Sequence, residues 1–170
     1  MASLVEELVG IIDKEEVIYK RLDEYAKQKK DILIKGDVAA LENLTVLEQT
    51  ASDELLVLSN KQSSTLKDIA TVMGIPFEEI TVTKLIGYLD KQPDIQLKLT
   101  ESRNQLLKTA KEMQLQNQQN EALLKQAIEM SEFEITLFKS MRQAPETANY
   151  NRNAYNTGSI LGSSGFDAKQ

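Results

Sequence analysis

"ILIKGDVAAL", residues 32–41 of the 170-residue chain, decides the fold. Gly36 suits the left-handed position that ends one helix, and Asp37 suits the cap that begins the next. So short a connection predicts an antiparallel helical hairpin. Upstream, Leu4, Leu8, Ile11, Glu15, Ile18, Leu22, Tyr25, Lys29 and Ile32 step alternately by four and three. Val5, Ile12, Tyr19, Ala26 and Leu33 flank that stripe every seven residues, which is the pattern of a heptad-like amphipathic helix. Ser3 and Glu6 match a capping box and predict the start of this helix. Downstream, Leu41, Leu44, Glu48, Ala51, Leu55, Leu58, Gln62, Thr65, Ile69 and Val72 repeat the alternation up to Gly74 and Pro76.

Beyond the hairpin, "GIPFEEITVTKLIGYLDKQPD" (74–94) breaks the pattern. Thr81 is placed to cap a short helix. A strand through "ITVTKLIGYL" would have no partner elsewhere, so helix is the expectation. Pro93 fits the first turn of a last, very long helix. The expected helices are about 3–34, 37–73, 81–90 and 93–142. The fold class is all-α: an antiparallel helical hairpin plus one very long C-terminal helix, an elongated helical bundle or coiled coil. Residues 1–142 form the helical domain. Residues 143–170, rich in Asn, Ser and Gly, are expected to be a disordered, flexible tail.

The composition suits packed helices: 41% hydrophobic residues, 5% aromatics and no tryptophan. A net charge of −6 without clustered Lys or Arg argues against a nucleic-acid partner. The absence of cysteine removes disulfides and thiolate metal sites, and the absence of histidine removes phosphotransfer, di-iron and triad chemistry of the usual kinds. No catalytic residue, metal ligand or cofactor site is expected, and the chain is not expected to be an enzyme. The acid-interrupted N-terminus does not read as a secretory signal, and no apolar run reaches the roughly 20 residues of a membrane span. A cytoplasmic protein without membrane insertion is the expectation.

The last helix carries an anomaly. Its stripe runs through Leu99, Arg103, Leu106, Ala110, Met113, Asn117, Asn120, Leu124, Ile128, Ser131, Ile135 and Phe138, so two amides fall where apolar residues belong. The steps from Asn120 to Leu124 to Ile128 form a stutter that locally unwinds a coiled coil. Two readings stand: the amides fix the register of the bundle, or this stretch is a groove kept partly polar while awaiting another helix. The helix also outruns both of its potential partners, so part of its apolar face has nothing in the chain to cover it.

These residues carry a family resemblance. Asn117, Asn120, Leu123 and Leu124 in "LQNQQNEALLKQAIEM" (115–130) resemble an Asn-x-x-Asn-x-x-Leu-Leu pattern of the flagellar export chaperone FlgN family. Gly36, Asp37, Leu41 and Leu44 are similar to that family's hairpin. Tyr155, Gly158, Phe166, Asp167 and Lys169 resemble the tail of its Gram-positive-type members. The resemblance implies a cytosolic chaperone that binds the C-terminal helices of the flagellar hook-associated (hook–filament junction) proteins and delivers them to the export gate. The candidate cargo contacts are Asn117, Asn120, Leu123, Leu124, Ala127, Ile128, Ile135 and Phe138. Tyr155 and Phe166 are candidates to occupy the empty groove or to dock on the gate. The alternative is a structural coiled-coil adaptor, a homo-oligomer paired through its last helix.

Overall fold

The computed structural model describes residues 1–143. They form α1 (Ala2–Lys35), α2 (Val38–Met73), a 3₁₀ turn (Phe77–Glu79), α3 (Val82–Tyr88) and α4 (Pro93–Gln143). Among the described residues there is no strand, and no helix is long and apolar enough to cross a membrane. The chain divides into two units, Met1–Ile128 and a second from Glu129 onward. The expected tail, with Tyr155 and Phe166, lies outside the described residues.

The hairpin turn is built as its residues require. Gly36 has φ 68°, the left-handed conformation, and its N–H and that of Asp37 donate to the carbonyls of Leu33 and Ile32. The Asp37 carboxylate then accepts from the Ala40 N–H at 3.0 Å and caps α2. Gly74, also at φ 68°, ends α2 the same way, with the Ile75 N–H donating to Ala70. Thr81 caps α3 by accepting from the Lys84 N–H at 3.2 Å. The capping box at Ser3 and Glu6 does not form: α1 already begins at Ala2, and the Met1 carbonyl accepts from the Leu4 and Val5 amides. Beginning two residues earlier uses backbone alone and leaves Ser3 inside the helix.

The core of the first unit sits at one end of the hairpin. Val5, Leu8 and Ile12 of α1 and Ile69 and Ala70 of α2 are buried with Ile80, Leu85, Leu89 and Leu99. At about 1.5–3 kcal/mol for each large aliphatic side chain, this cluster is the main anchor of the bundle. It also explains the 75–95 insert: Ile80, Leu85 and Leu89 plug the end of the hairpin, and the Gln96 amide ties α4 to the Ile86 carbonyl at 2.8 Å.

α4 runs parallel to α1. The Thr109 hydroxyl donates to Glu16 at 3.1 Å and the Asn120 amide donates to the Ala26 carbonyl at 2.6 Å, pairs separated by 93 and 94 residues. A constant separation means that the two helices advance together. On an offset of 93, Lys35, the last residue of α1, falls level with Ile128. Within the first unit α1 and α2 approach closely along their backbones, whereas α4 approaches neither as closely. The second unit's described residues, Glu129–Gln143, continue α4, and all of their side chains are exposed.

Candidate partner-binding groove

The polar stripe residues meet in the first unit. A cavity of about 490 Å³ lies between the three long helices. It is lined by Tyr19, Leu22 and Lys29 of α1, Glu48, Ser52 and Leu55 of α2, and Met113, Asn117, Asn120, Glu121 and Leu124 of α4. A second cavity of about 450 Å³ shares Tyr19, Ser52 and Leu55 and adds Glu15, Leu56, Ser59, Gln62, Leu106, Leu107 and Ala110. The shared residues make the two cavities one groove, walled by α2 and α4 and floored by α1. It exists because the apolar stripes of α2 and α4 both face it while their backbones stay apart.

Polar groups are set into that floor. Glu15 is buried and accepts from the Gln62 side-chain amide at 2.9 Å. Burial pushes its carboxyl up to about 6 from the ordinary 4.5. The neighbouring Tyr19 hydroxyl is also pushed up, by burial first and then by the Glu15 charge. Burial likewise raises Glu16, but hydrogen bonds to Lys20, Thr109 and Gln105, together with the Lys20 charge, outweigh it and hold Glu16 below the usual value. Lys29 lies against Glu48 as an ion pair across the hairpin. Two buried oxygens, Oδ1 of Asp23 and Oδ1 of Asn120, have no hydrogen-bond partner among the described residues.

The two amides of the sequence anomaly therefore do different things. Asn120 is buried against α1. Asn117 is exposed and donates to the Met113 sulfur one turn back in its own helix, so it does not set the α1–α4 register. The stutter is corrected as well. Burial continues through Gln116, Asn120 and Leu123 in steps of four and three, whereas Leu124, Ile128, Ser131, Ile135 and Phe138 are exposed. The contacts of Thr109 and Asn120 with α1 fix which face turns inward, and that face is one residue away from the one traced through Asn117 and Leu124.

Of the candidate contacts, the groove gathers Asn117, Asn120 and Leu124. Leu123 is half-buried outside it, and Ala127 and Ile128 are exposed at the end of the first unit. Ile135 and Phe138 are exposed in the second unit. Sequence reasoning did not assign Tyr19, Leu22, Leu55 or Met113 to a site, although all four lie on stripes it traced. It also passed over Met130, Phe133, Leu137 and Met141, exposed residues in steps of three and four along a second helical face. That spacing was available, but a stripe followed from Leu124 lands on the other face.

A family model described as FlgN protein matches residues 1–158. The chain belongs to the FlgN family. FlgN proteins are flagellar export chaperones, so a role in flagellum biogenesis follows from membership. The resemblance carried by the Gly36–Asp37 hairpin and the Asn-bearing last helix thus extends over nearly the whole chain. No curated protein and no solved structure matches it.

Proposed function

We propose that this FlgN-family protein holds the C-terminal amphipathic helices of flagellar hook–filament junction proteins, prevents their premature assembly and delivers them to the flagellar export apparatus. The observation that supports this reading is the apolar surface of α4 left uncovered among the described residues. Leu124 and Ile128 in the first unit, and Met130, Phe133, Ile135, Leu137, Phe138 and Met141 in the second, are all exposed. Such a surface is a liability in a protein with no partner and an asset in one that receives amphipathic helices. Six to eight anchors at about 1.5–3 kcal/mol each give roughly 10–20 kcal/mol gross. Association and ordering cost on the order of 4–15 kcal/mol, which leaves a complex that can release its cargo. The helical residues 1–142 act as the chaperone domain. Tyr155 and Phe166 serve docking at the export gate.

The test is titration of the chain with C-terminal segments of junction proteins. Leu124→Asp and Ile128→Asp, both at exposed positions, should each weaken binding by about tenfold or more while leaving helicity unchanged. Unchanged affinity in both would refute the assignment. Sedimentation separates the adaptor alternative: a tight dimer that ignores the segments would favour pairing of the last helix with a second copy. Truncation after Arg142 should preserve cargo affinity and abolish docking on the gate.

A further inference from the structure

We propose that the groove between α2 and α4 receives one helix of the cargo as the fourth helix of a bundle, and that this helix carries hydrogen-bond donors, amide or cationic, among its apolar residues. This rests on the chaperone reading and adds to it a seat and a chemistry. The seat has the right dimensions. From Leu106 to Leu124 the α4 wall spans about 27 Å at 1.5 Å per residue, roughly five helical turns. Three helices, two parallel and one antiparallel, leave one open side, and a fourth helix closes such an arrangement. The apolar share of the contact comes from Leu55 and Leu56 on one wall and Leu106, Met113 and Leu124 on the other.

The chemistry follows from which polar groups are satisfied. Among the described residues, Glu15, Glu48 and Glu121 line the groove against a single base, Lys29, and that base is already paired with Glu48. Asn120 uses its amide N–H on the Ala26 carbonyl and is left with a buried oxygen that accepts nothing among the described residues. That oxygen is sealed from the groove, so the lining carboxylates are what an arriving helix meets. A purely apolar helix would bury Glu15 more deeply and take Glu121 out of water with nothing to pair it. A helix bearing acids would face three carboxylates. A helix with Lys, Arg, Gln or Asn at the matching turns offers these carboxylates donors.

The full-length chain is tested with fluorescently labelled C-terminal segments of junction proteins as the probe. Ser52 is an exposed residue that lines both cavities, so Ser52→Trp fills the groove with little strain on the fold. Ser59→Tyr, on the same wall, does so independently should the first variant fold poorly. Glu121→Lys reverses the charge at the rim. All three should bind about tenfold or more weakly, with helicity and melting unchanged. Wild-type affinity in the filled variants, with Ile128→Asp still impaired, overturns the groove as the seat and leaves the chaperone reading standing. Weakening by Ser52→Trp or Ser59→Tyr without any effect of Glu121→Lys overturns the donor chemistry and with it the proposal. A wild-type dimer that Ser52→Trp converts to a monomer would place a second copy in the groove and overturn it too. Failure of every segment to bind the wild-type chain overturns both readings.

Discussion

Glu15 is an acid on the apolar stripe of α1, and its cost is calculable. Its carboxyl is raised to about 6 in the folded chain by burial, against 4.5 for an ordinary glutamate. Below pH 4.5 it is protonated in both the folded and unfolded states and costs nothing. Between about pH 4.5 and 6 the unfolded state loses its proton first, so stability falls as pH rises. Above about 6 the full penalty of a buried charge is present, on the order of 2 kcal/mol. Glu15→Gln keeps an oxygen that accepts from Gln62 and removes the charge. It should raise stability by about 1–2 kcal/mol at pH 7.5 and leave it unchanged at pH 4, as measured by chemical denaturation at the two pH values. An equal gain at both would show that burial of charge is not the cause. At the hairpin turn, Asp37→Ala removes the oxygen that accepts from the Ala40 N–H and should cost about 1 kcal/mol. Gly36→Ala forces an L side chain to φ 68° and should cost about 1–2 kcal/mol, although an added Cβ would meet nothing there. The same denaturation midpoints report both.

Among the elements, α4 is the one whose packing differs in kind along its length. At Leu99 it enters the apolar core, at Thr109 it meets the Glu16 carboxylate, and at Asn120 it meets the Ala26 carbonyl. Polar contacts of this sort set register and give up stability. Asn120→Leu removes a buried oxygen without a donor, and the Ala26 carbonyl keeps its place in the backbone ladder of α1. The variant should melt higher, by about 1 kcal/mol in stability. A lower melting point would mean that Asn120 is essential to the α1–α4 contact. This gradient also explains what was legible beforehand. The stripes of α1 and α2 were read from spacing alone, and apart from Val72 every stripe position named on them is buried or half-buried, because apolar side chains every three and four residues leave only one way to pack. The turn was legible because Gly36 and Asp37 each have a single conformational use there. On α4, polar residues replace apolar ones from Arg103 onward, so spacing no longer fixes the inward face. The trace drifted to Asn117 and Leu124, whereas contact with α1 selects Gln116 and Leu123. The groove was legible only as polar residues on stripes (Glu15, Glu48, Gln62 and Asn120), since the pairing of α1 with α4 is a long-range fact.

For the molecule as a whole, the two units differ in what stabilises them, and this leads to a measurable contrast. The first unit has a buried core, whereas the described part of the second is helix with every side chain exposed. A helix of such length without packing is marginal in water, because nucleation is costly and propagation gains little per residue. Amides of Glu129–Gln143 should therefore exchange with solvent far faster than those of Val5–Ile12, which open only with the core. Cargo should invert that order in the second unit. If junction-protein helices cover Phe133, Leu137 and Met141, or Ile135 and Phe138, burial of even two such side chains adds about 3–6 kcal/mol to local helix stability. That corresponds to a slowing of exchange by about a hundredfold or more. Hydrogen exchange followed by mass spectrometry, with and without saturating segment, reads this directly. Phe133→Asp and Phe138→Asp then tell which face is covered, because these residues lie on different sides of the helix and only the variant on the covered side should abolish the protection. Exchange in 129–143 that stays fast in a saturated complex would confine cargo to the first unit and remove Ile135 and Phe138 from the binding surface.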